Sequence, residues 1–231
     1  MATYDGPSPI ITDGLVFAAD AGNTQCYTSG SLTCNSIGPI NITGSLLDSG
    51  GGSQPSPIYN SDGAGCWLFD GTDDEIDFQY TAGLELQEFS VEAWVNWNGV
   101  TGTGGIVEVM KNQNDGWFIG FFGAGGIKFY TESPSWQALT GITPTANIWY
   151  QVVGTLATYG TSNNKKLYFN GVYNVQHTTS ALVGYDTANI RIGLYDFTWE
   201  GKIASVKIYN RVLAPTEILQ NYNSQKARFG L

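Results

Sequence analysis

Lys166-Leu167-Tyr168-Phe169-Asn170-Gly171-Val172-Tyr173-Asn174-Val175 carries the strongest local signal in the chain. Asn-Gly readily takes the positive φ angles that a type I′ turn requires, so the runs on either side should form a β-hairpin. Upstream, residues 90–97 alternate. Val91, Ala93, Val95 and Trp97 point one way, and Glu92, Trp94 and Asn96 the other, which is the two-residue period of a strand. Trp94 on the more polar side indicates that both faces of this strand are at least partly covered.

The same pattern spreads outward from these two stretches. Gly14-Leu15-Val16-Phe17-Ala18-Ala19 is a short apolar run between turn signals. Trp67-Leu68-Phe69, stopped by Asp70-Gly71, and Ile76-Asp77-Phe78 are strand stubs. Residues 105–110, 116–122, 126–130, 149–156, 190–192 and 202–209 complete the set. Residues 21–63 are rich in Gly, Ser, Asn and Pro, so loops and short edge strands should dominate there, with Gly50-Gly51-Gly52-Ser53 as a flexible tip. One helix is expected. Pro215 suits a first helical position, Glu217 the first turn, and Ile218, Leu219 and Tyr222 form an apolar stripe. The expected fold is all-β, an antiparallel β-sandwich of the jelly-roll kind over residues 14–231, with one short C-terminal helix. Residues 1–13, holding Pro7 and Pro9, read as an extended N-terminal arm.

A chain of 231 residues suits one large sandwich or two small domains. No internal repeat or linker divides it. Only 13% of residues are charged, against about 25% in an average soluble domain, so Ser, Thr, Asn, Gln and Gly must cover the surface. The net charge of −10 and the lack of a basic run argue against nucleic acid and against anionic membranes. Cys26, Cys34 and Cys66 are odd in number and show no C-x-x-C pattern. They read as small buried residues, with a Cys26–Cys34 bridge as an alternative. The N-terminus lacks the basic and apolar regions of a secretory signal, and no apolar run approaches the ~20 residues of a membrane span. The expectation is a soluble protein made in a reducing compartment and kept there or released by lysis of a host.

Several of these stretches, in order, resemble the laminin-G-like branch of the concanavalin A-like lectin/glucanase superfamily. They are Gly14 to Asn23, Phe69-Asp70-Gly71-Thr72-Asp73-Asp74, Phe89-Ser90-Val91-Glu92-Ala93-Trp94-Val95, Trp149-Tyr150-Gln151-Val152-Val153, Leu167-Tyr168-Phe169-Asn170-Gly171, Ile190-Arg191-Ile192-Gly193 and the closing segment from Gly201 to the helix around Glu217. The resemblance covers about residues 10–226 and implies a concanavalin A-like sandwich. The turn Asp20-Ala21-Gly22-Asn23 and the ending from Gln220 to Leu231 are also similar to tailed-phage virion proteins. That similarity implies a virion-surface component: a capsid decoration, tail or fibre protein.

Three constellations carry candidate chemistry. The first is acidic: Asp70, Asp73, Asp74, Glu75 and Asp77 lie within eight residues, beside a glycine turn. Calcium takes several hard oxygen ligands. The family resemblance implies a rim Ca²⁺ whose carboxylates match Asp20, Asp70 and Asp73 here; the alternative is a solvated turn with Asp70 bonding its own loop. No motif demands any other cofactor. The second is Glu75-Ile76-Asp77-Phe78-Gln79, which resembles a laminarinase-type hydrolase motif. That motif needs a second glutamate as acid/base, and Gln79 or Tyr80 in its place cannot shuttle the proton. No catalytic residue is therefore expected. His177, the only histidine, sits in a polar stretch without a nucleophile elbow, and Gly102-Thr103-Gly104-Gly105 lacks the Lys-Ser/Thr of a phosphate loop. The third is aromatic. Among Trp97, Trp117, Trp136, Trp149 and Trp199, the loop-bound Trp136 and then Trp199 are the candidates to stack a sugar; the alternative is burial in the core or a subunit interface.

The leading functional expectation is a virion structural protein that assembles with itself or with other virion proteins. A carbohydrate-binding module for host glycans, with or without calcium, is the alternative, and a glycoside hydrolase the weakest reading.

Overall fold

The computed structural model describes residues 8–48, 57–100, 104–111, 115–121, 125–132, 136–179, 182–185, 187–193 and 199–231, without the side chains of residues 111, 132 and 136. The glycine-rich tip at 50–53, residues 1–7 of the arm and residues 101–103 lie outside this set.

In chain order the strands are β1 (Leu15–Asp20), β2 (Thr33–Asn35), β3 (Thr43–Asp48), β4 (Ile58–Asn60), β5 (Cys66–Asp70), β6 (Asp74–Phe78), β7 (Phe89–Trp97), β8 (Gly104–Lys111), β9 (Asp115–Phe121), β10 (Lys128–Glu132), β11 (Trp136–Thr140), β12 (Trp149–Leu156), β13 (Lys165–Phe169), β14 (Val172–His177), β15 (Asn189–Ile192) and β16 (Glu200–Tyr209), followed by α1 (Pro215–Gln225). They form two antiparallel sheets. Sheet I runs β14-β13-β12-β7-β16-β5-β4, with β1 also paired to β16; sheet II runs β11-β10-β9-β8-β15-β6-β3-β2. The fold is the all-β sandwich with one short helix that the two-residue periodicity predicts.

The expected hairpin is β13–β14. Phe169 pairs with Val172, and Asn170 and Gly171 have φ of 52° and 76°, the two positive angles of a type I′ turn. Between the sheets, Phe17, Trp67, Val91, Val95, Val152, Leu167 and Val206 meet Ile76, Phe78, Val107, Trp117, Ile119, Phe129 and Ile190 in one buried core. Gly154 of β12 marks a close approach of the layers: a Cβ there would lie 2.8 Å from Ile119 Cδ1. Lys165 also points inward. Its Nζ crosses from sheet I to donate to Thr131 Oγ1 (3.1 Å) and the Gln137 carbonyl (2.5 Å) of sheet II.

The outer face of sheet I is covered as well, which explains Trp94 on the polar side of β7. Trp94 stacks on Phe229 at 4.1 Å and donates its Nε1–H to Gln225. Beneath α1 lies a buried polar network. Lys207 pairs with Glu92 (2.9 Å), Asn221 donates to Glu92 (2.7 Å), and the Ile11 N–H donates to Asn221 Oδ1 (2.7 Å). Thus the end of the arm is pinned to the helix rather than splayed away. At the helix start, Glu217 accepts from the Ala214 N–H and from both arms of Arg211, all at 2.8 Å. Arg211 first of all holds the Glu217 carboxyl below its ordinary pKa.

All three cysteines are free and buried. Burial raises the Cys26 thiol to about 11 and the Cys66 thiol to about 12, so neither presents a reactive thiolate at neutral pH. Among the described residues, no helix is long and apolar enough to cross a membrane.

Candidate functional site

The acidic turn between β5 and β6 brings Asp70, Asp73 and Asp74 together, each with a carboxylate oxygen within 4.8 Å of the others. Ca²⁺ binds oxygens at ~2.3–2.6 Å, so two ligands across the ion stand at most about 5 Å apart, and the three residues fit one ion. The turn is braced internally: Asp70 N–H donates to Asp74 Oδ2, and Thr72 N–H to Asp70 Oδ1, both at 2.8 Å. Asp20 is not part of this group. It pairs with Ser205 while Asp70 pairs with Glu200 on the same edge of β16. At ~3.3 Å per residue that separates them by roughly 16 Å. Asp20 is instead forked by Arg228 (2.7 and 2.8 Å), which ties the opening turn to the C-terminal tail. The third acidic neighbour is Asp74, the first residue of β6.

The aromatic expectation is corrected at Trp199. This indole is 1% exposed and lies 5.9 Å from the Phe121 ring in the inter-sheet core, so it has no face for a sugar. Its polar neighbours in sequence suggested a loop; the residue stands just before β16, and its side chain packs into the core. Trp117 and Trp149 are buried too. The Trp136 backbone forms the start of β11, which the sequence reads as loop, and its side chain lies outside the described residues. His177 is exposed at the end of edge strand β14.

The outer face of sheet II gathers a group that no local motif reveals. Glu75 and Asp77 share this face two residues apart on β6. In the register Asp77↔Arg191↔Glu108, the guanidinium of β15 stands between carboxylates of β6 and β8. Arg191 NH1 lies 3.2 Å from Glu108 Oε1, and Nε lies 3.7 Å from Glu75 Oε2 and 4.0 Å from Asp77 Oδ1. Burial works to lower the Arg191 pKa, but Glu108, Glu75 and Asp77 together hold it above the ordinary value. Asn189, two residues before Arg191, donates to both Asp77 oxygens (2.9 and 3.2 Å) and accepts the Tyr80 N–H (3.0 Å). Burial raises the Asp77 pKa against the pull of Arg191 and Asn189. The Arg191 and Asp77 side chains remain 34% and 23% exposed, so they are the members that a ligand can reach. Tyr80, 37% exposed, adjoins them. Phe118 and Tyr130, stacked at 4.5 Å further along the same row, are buried and act as floor rather than platform.

This arrangement can offer donors and acceptors to hydroxyl groups. Gln79 follows the last residue of β6, and Glu75 and Glu108 flank the Arg191 guanidinium.

A protein-family model described as the concanavalin A-like lectin/glucanases superfamily, of laminin-G type, matches residues 70–219. A search of curated protein sequences found no match. Among solved structures, domain 4 of AbnA, a GH43 extracellular arabinanase from Geobacillus stearothermophilus in complex with arabinotriose, is similar with a TM-score of 0.69 at 17% identity, over 91% of this chain and 100% of that one. The botulinum neurotoxin serotype D binding domain gives 0.71 at 17% identity, over 93% of this chain and 53% of that one. A Trypanosoma rangeli sialidase in complex with the inhibitor DANA gives 0.66 at 12% identity, over 96% of this chain and 34% of that one. The present chain thus spans about half of the neurotoxin domain and a third of the sialidase. At these identities the likeness speaks for the fold. The family model covers well over half of the sequence, and the chain belongs to the concanavalin A-like lectin/glucanases superfamily, in its laminin-G-like branch.

Proposed function

We propose that this chain is a non-catalytic recognition domain that binds carbohydrate on the outer face of sheet II. The observation that carries the reading is the meeting of Asp77, Asn189 and Arg191 at the surface, backed by Glu75 and Glu108. Sugar hydroxyls are recognised by such fixed pairs of acceptor and donor, and the network beneath holds the rotamers in place. The arabinotriose complex of the arabinanase domain and a botulinum neurotoxin type C structure described by its interaction with two ganglioside molecules support this class of ligand. The acidic turn supplies a Ca²⁺ site at the rim, with Asp70, Asp73 and Asp74 as its carboxylate ligands. A glycan array tests the reading. The wild-type protein should retain a defined set of glycans, and Arg191→Ala should lose them while keeping its β-rich circular-dichroism spectrum. Equal retention by the variant would discard this face.

A second reading, a virion-surface structural protein that assembles with its own copies or with other virion proteins, draws on one further observation. Val172, Tyr173 and Leu219 are 65%, 48% and 43% exposed, and the first two lie on edge strand β14. The two stretches similar to tailed-phage virion proteins are also clamped together by Asp20 and Arg228. Light scattering that finds only monomers at high concentration would count against assembly.

A further inference from the structure

The outer face of sheet II holds more negative charge than its guanidinium balances. Arg191 stands among Glu108 (3.2 Å), Glu75 (3.7 Å) and Asp77 (4.0 Å), which sets three carboxylates against one cation. Glu85 adds a further carboxylate at the border, where the Tyr80 hydroxyl donates to it (2.9 Å). That bond is the leading cause that raises the Tyr80 pKa. Sheet register brings no second cation close. Along the row Ser45↔Asp77↔Arg191↔Glu108↔Phe118↔Tyr130 the remaining residues are uncharged. Lys128, a described lysine of this face, lies on β10, three strands from β15. At ~4.8 Å per strand that is roughly 14 Å away.

Asp77 is the carboxylate within a ligand's reach: its side chain is 23% exposed, against 8% for Glu75 and Glu108. Asn189 Nδ2 bonds both of its oxygens (2.9 and 3.2 Å) and so fixes its orientation. An ionised carboxylate has about four acceptor sites, so Asp77 keeps capacity for a further donor on its exposed side. Burial disfavours its charge and raises its pKa, so a donor that brings positive charge gains more here than a neutral hydroxyl does. Charge-assisted hydrogen bonds are also about twice as strong as neutral ones. An acidic sugar would instead meet three carboxylates on a chain of net charge −10, with the one guanidinium already engaged. The exposed Tyr80 ring is anchored at the border through its N–H to Asn189 (3.0 Å) and its hydroxyl to Glu85, and such a ring attracts cations.

We infer that the face formed by Asp77, Asn189 and Arg191 selects sugars that carry a free amino group, seating the ammonium on Asp77 and a neighbouring hydroxyl on Arg191, and rejects carboxylated and sulfated glycans. The inference names the ligand class of the proposed recognition face and rests on that reading. The test is an amide chemical-shift titration of the full chain with a glucosamine tetramer, an N-acetylglucosamine tetramer and a galacturonic acid tetramer, with spermidine as a cation that has no sugar ring. It is run at about pH 6.5, below the pKa of an amine of this kind, and in about 0.15 M salt, which screens general attraction to the acidic chain. The glucosamine tetramer should shift Asp77, Asn189 and Arg191 saturably and bind roughly tenfold tighter than its acetylated form, the gain of a charged over a neutral hydrogen bond. The galacturonate tetramer should leave these amides in place, and Asp77→Asn should weaken the glucosamine tetramer roughly tenfold. Equal or tighter binding of the acetylated or the acidic tetramer at these residues would overturn the amine preference and leave the proposed function standing. Spermidine binding as tightly there would reduce the effect to charge attraction and overturn the preference too. Wild-type affinity in Asp77→Asn would overturn the seat of the ammonium. Silence of these amides with every sugar would overturn both the inference and the proposed function.

Discussion

Glu92→Ala is expected to destabilise the fold far more than its surface charge count suggests. Glu92 is 0% and Lys207 4% exposed, and their ion pair is 2.9 Å long. The variant strands Lys207 with Gln225 (3.0 Å) as its remaining partner, and Asn221 with the Tyr209 hydroxyl (3.0 Å). Breaking a buried pair from one side costs about 3–5 kcal/mol, because the remaining charge stays desolvated. For a domain of this size each kcal/mol moves Tm by about 2–4 °C, so a fall of roughly 10 °C or more should appear in a calorimetric melt. Asn221 also anchors Ile11, so protease sensitivity of the N-terminal segment should rise with the fall in Tm. The double variant Glu92→Met/Lys207→Met should recover much of the loss, since two apolar side chains leave no unpaired charge. A Glu92→Ala protein within about 1 kcal/mol of wild type in urea titration would refute the reasoning, because the network would then not be holding the helix to sheet I.

Four further outcomes follow from single sites. Burial lowers the Lys165 pKa from 10.5 to about 7, so the unfolded chain binds the extra proton and stability should rise with pH across that interval. The three buried thiols act oppositely at alkaline pH, so the readable quantity is wild type minus Lys165→Met, which should grow by roughly 2–3 kcal/mol between about pH 6 and 9; a flat difference in urea titrations contradicts it. Trp199→Ala should cost about 3–5 kcal/mol in the same titration and leave glycan retention intact, as a core residue would. Arg228→Leu, which removes the fork on Asp20, should lower stability by about 2–4 kcal/mol; an unchanged melt would mean that the tail is not clamped. With Ca²⁺ at about 100 times its dissociation constant, stability should rise by ~2.7 kcal/mol over chelator, and Asp73→Asn should erase most of that gain. An identical melt with and without chelator removes the ion.

The sequence made the strands legible because each buries one face and so repeats every two residues, as at Val91, Ala93 and Val95. It made the β13–β14 turn legible because Asn170-Gly171 has few other uses. It could not show which strands lie side by side, and the candidate face depends on that alone. Glu75 and Asp77 are visible as a local motif, but Arg191 and Glu108 join them only when β15 inserts between β6 and β8. Asp20 looked like a metal ligand from its turn; its actual partner, Arg228, is 208 residues away. Trp199 misled because polarity of neighbours reports on loops, whereas the indole of this residue just before β16 packs into the core. β11 was missed for the same reason, its start being masked by Ser133-Pro134-Ser135.

The central claim is recognition without cleavage, and one paired measurement tests it. A glycan retained on the array is incubated with the purified protein while binding is followed by calorimetry and new reducing ends are assayed in the same samples. The account predicts saturable heat in wild type, lost in Arg191→Ala, with reducing ends at the level of the protein-free control. Sustained release of reducing ends by wild type, abolished in Glu75→Gln, would contradict it.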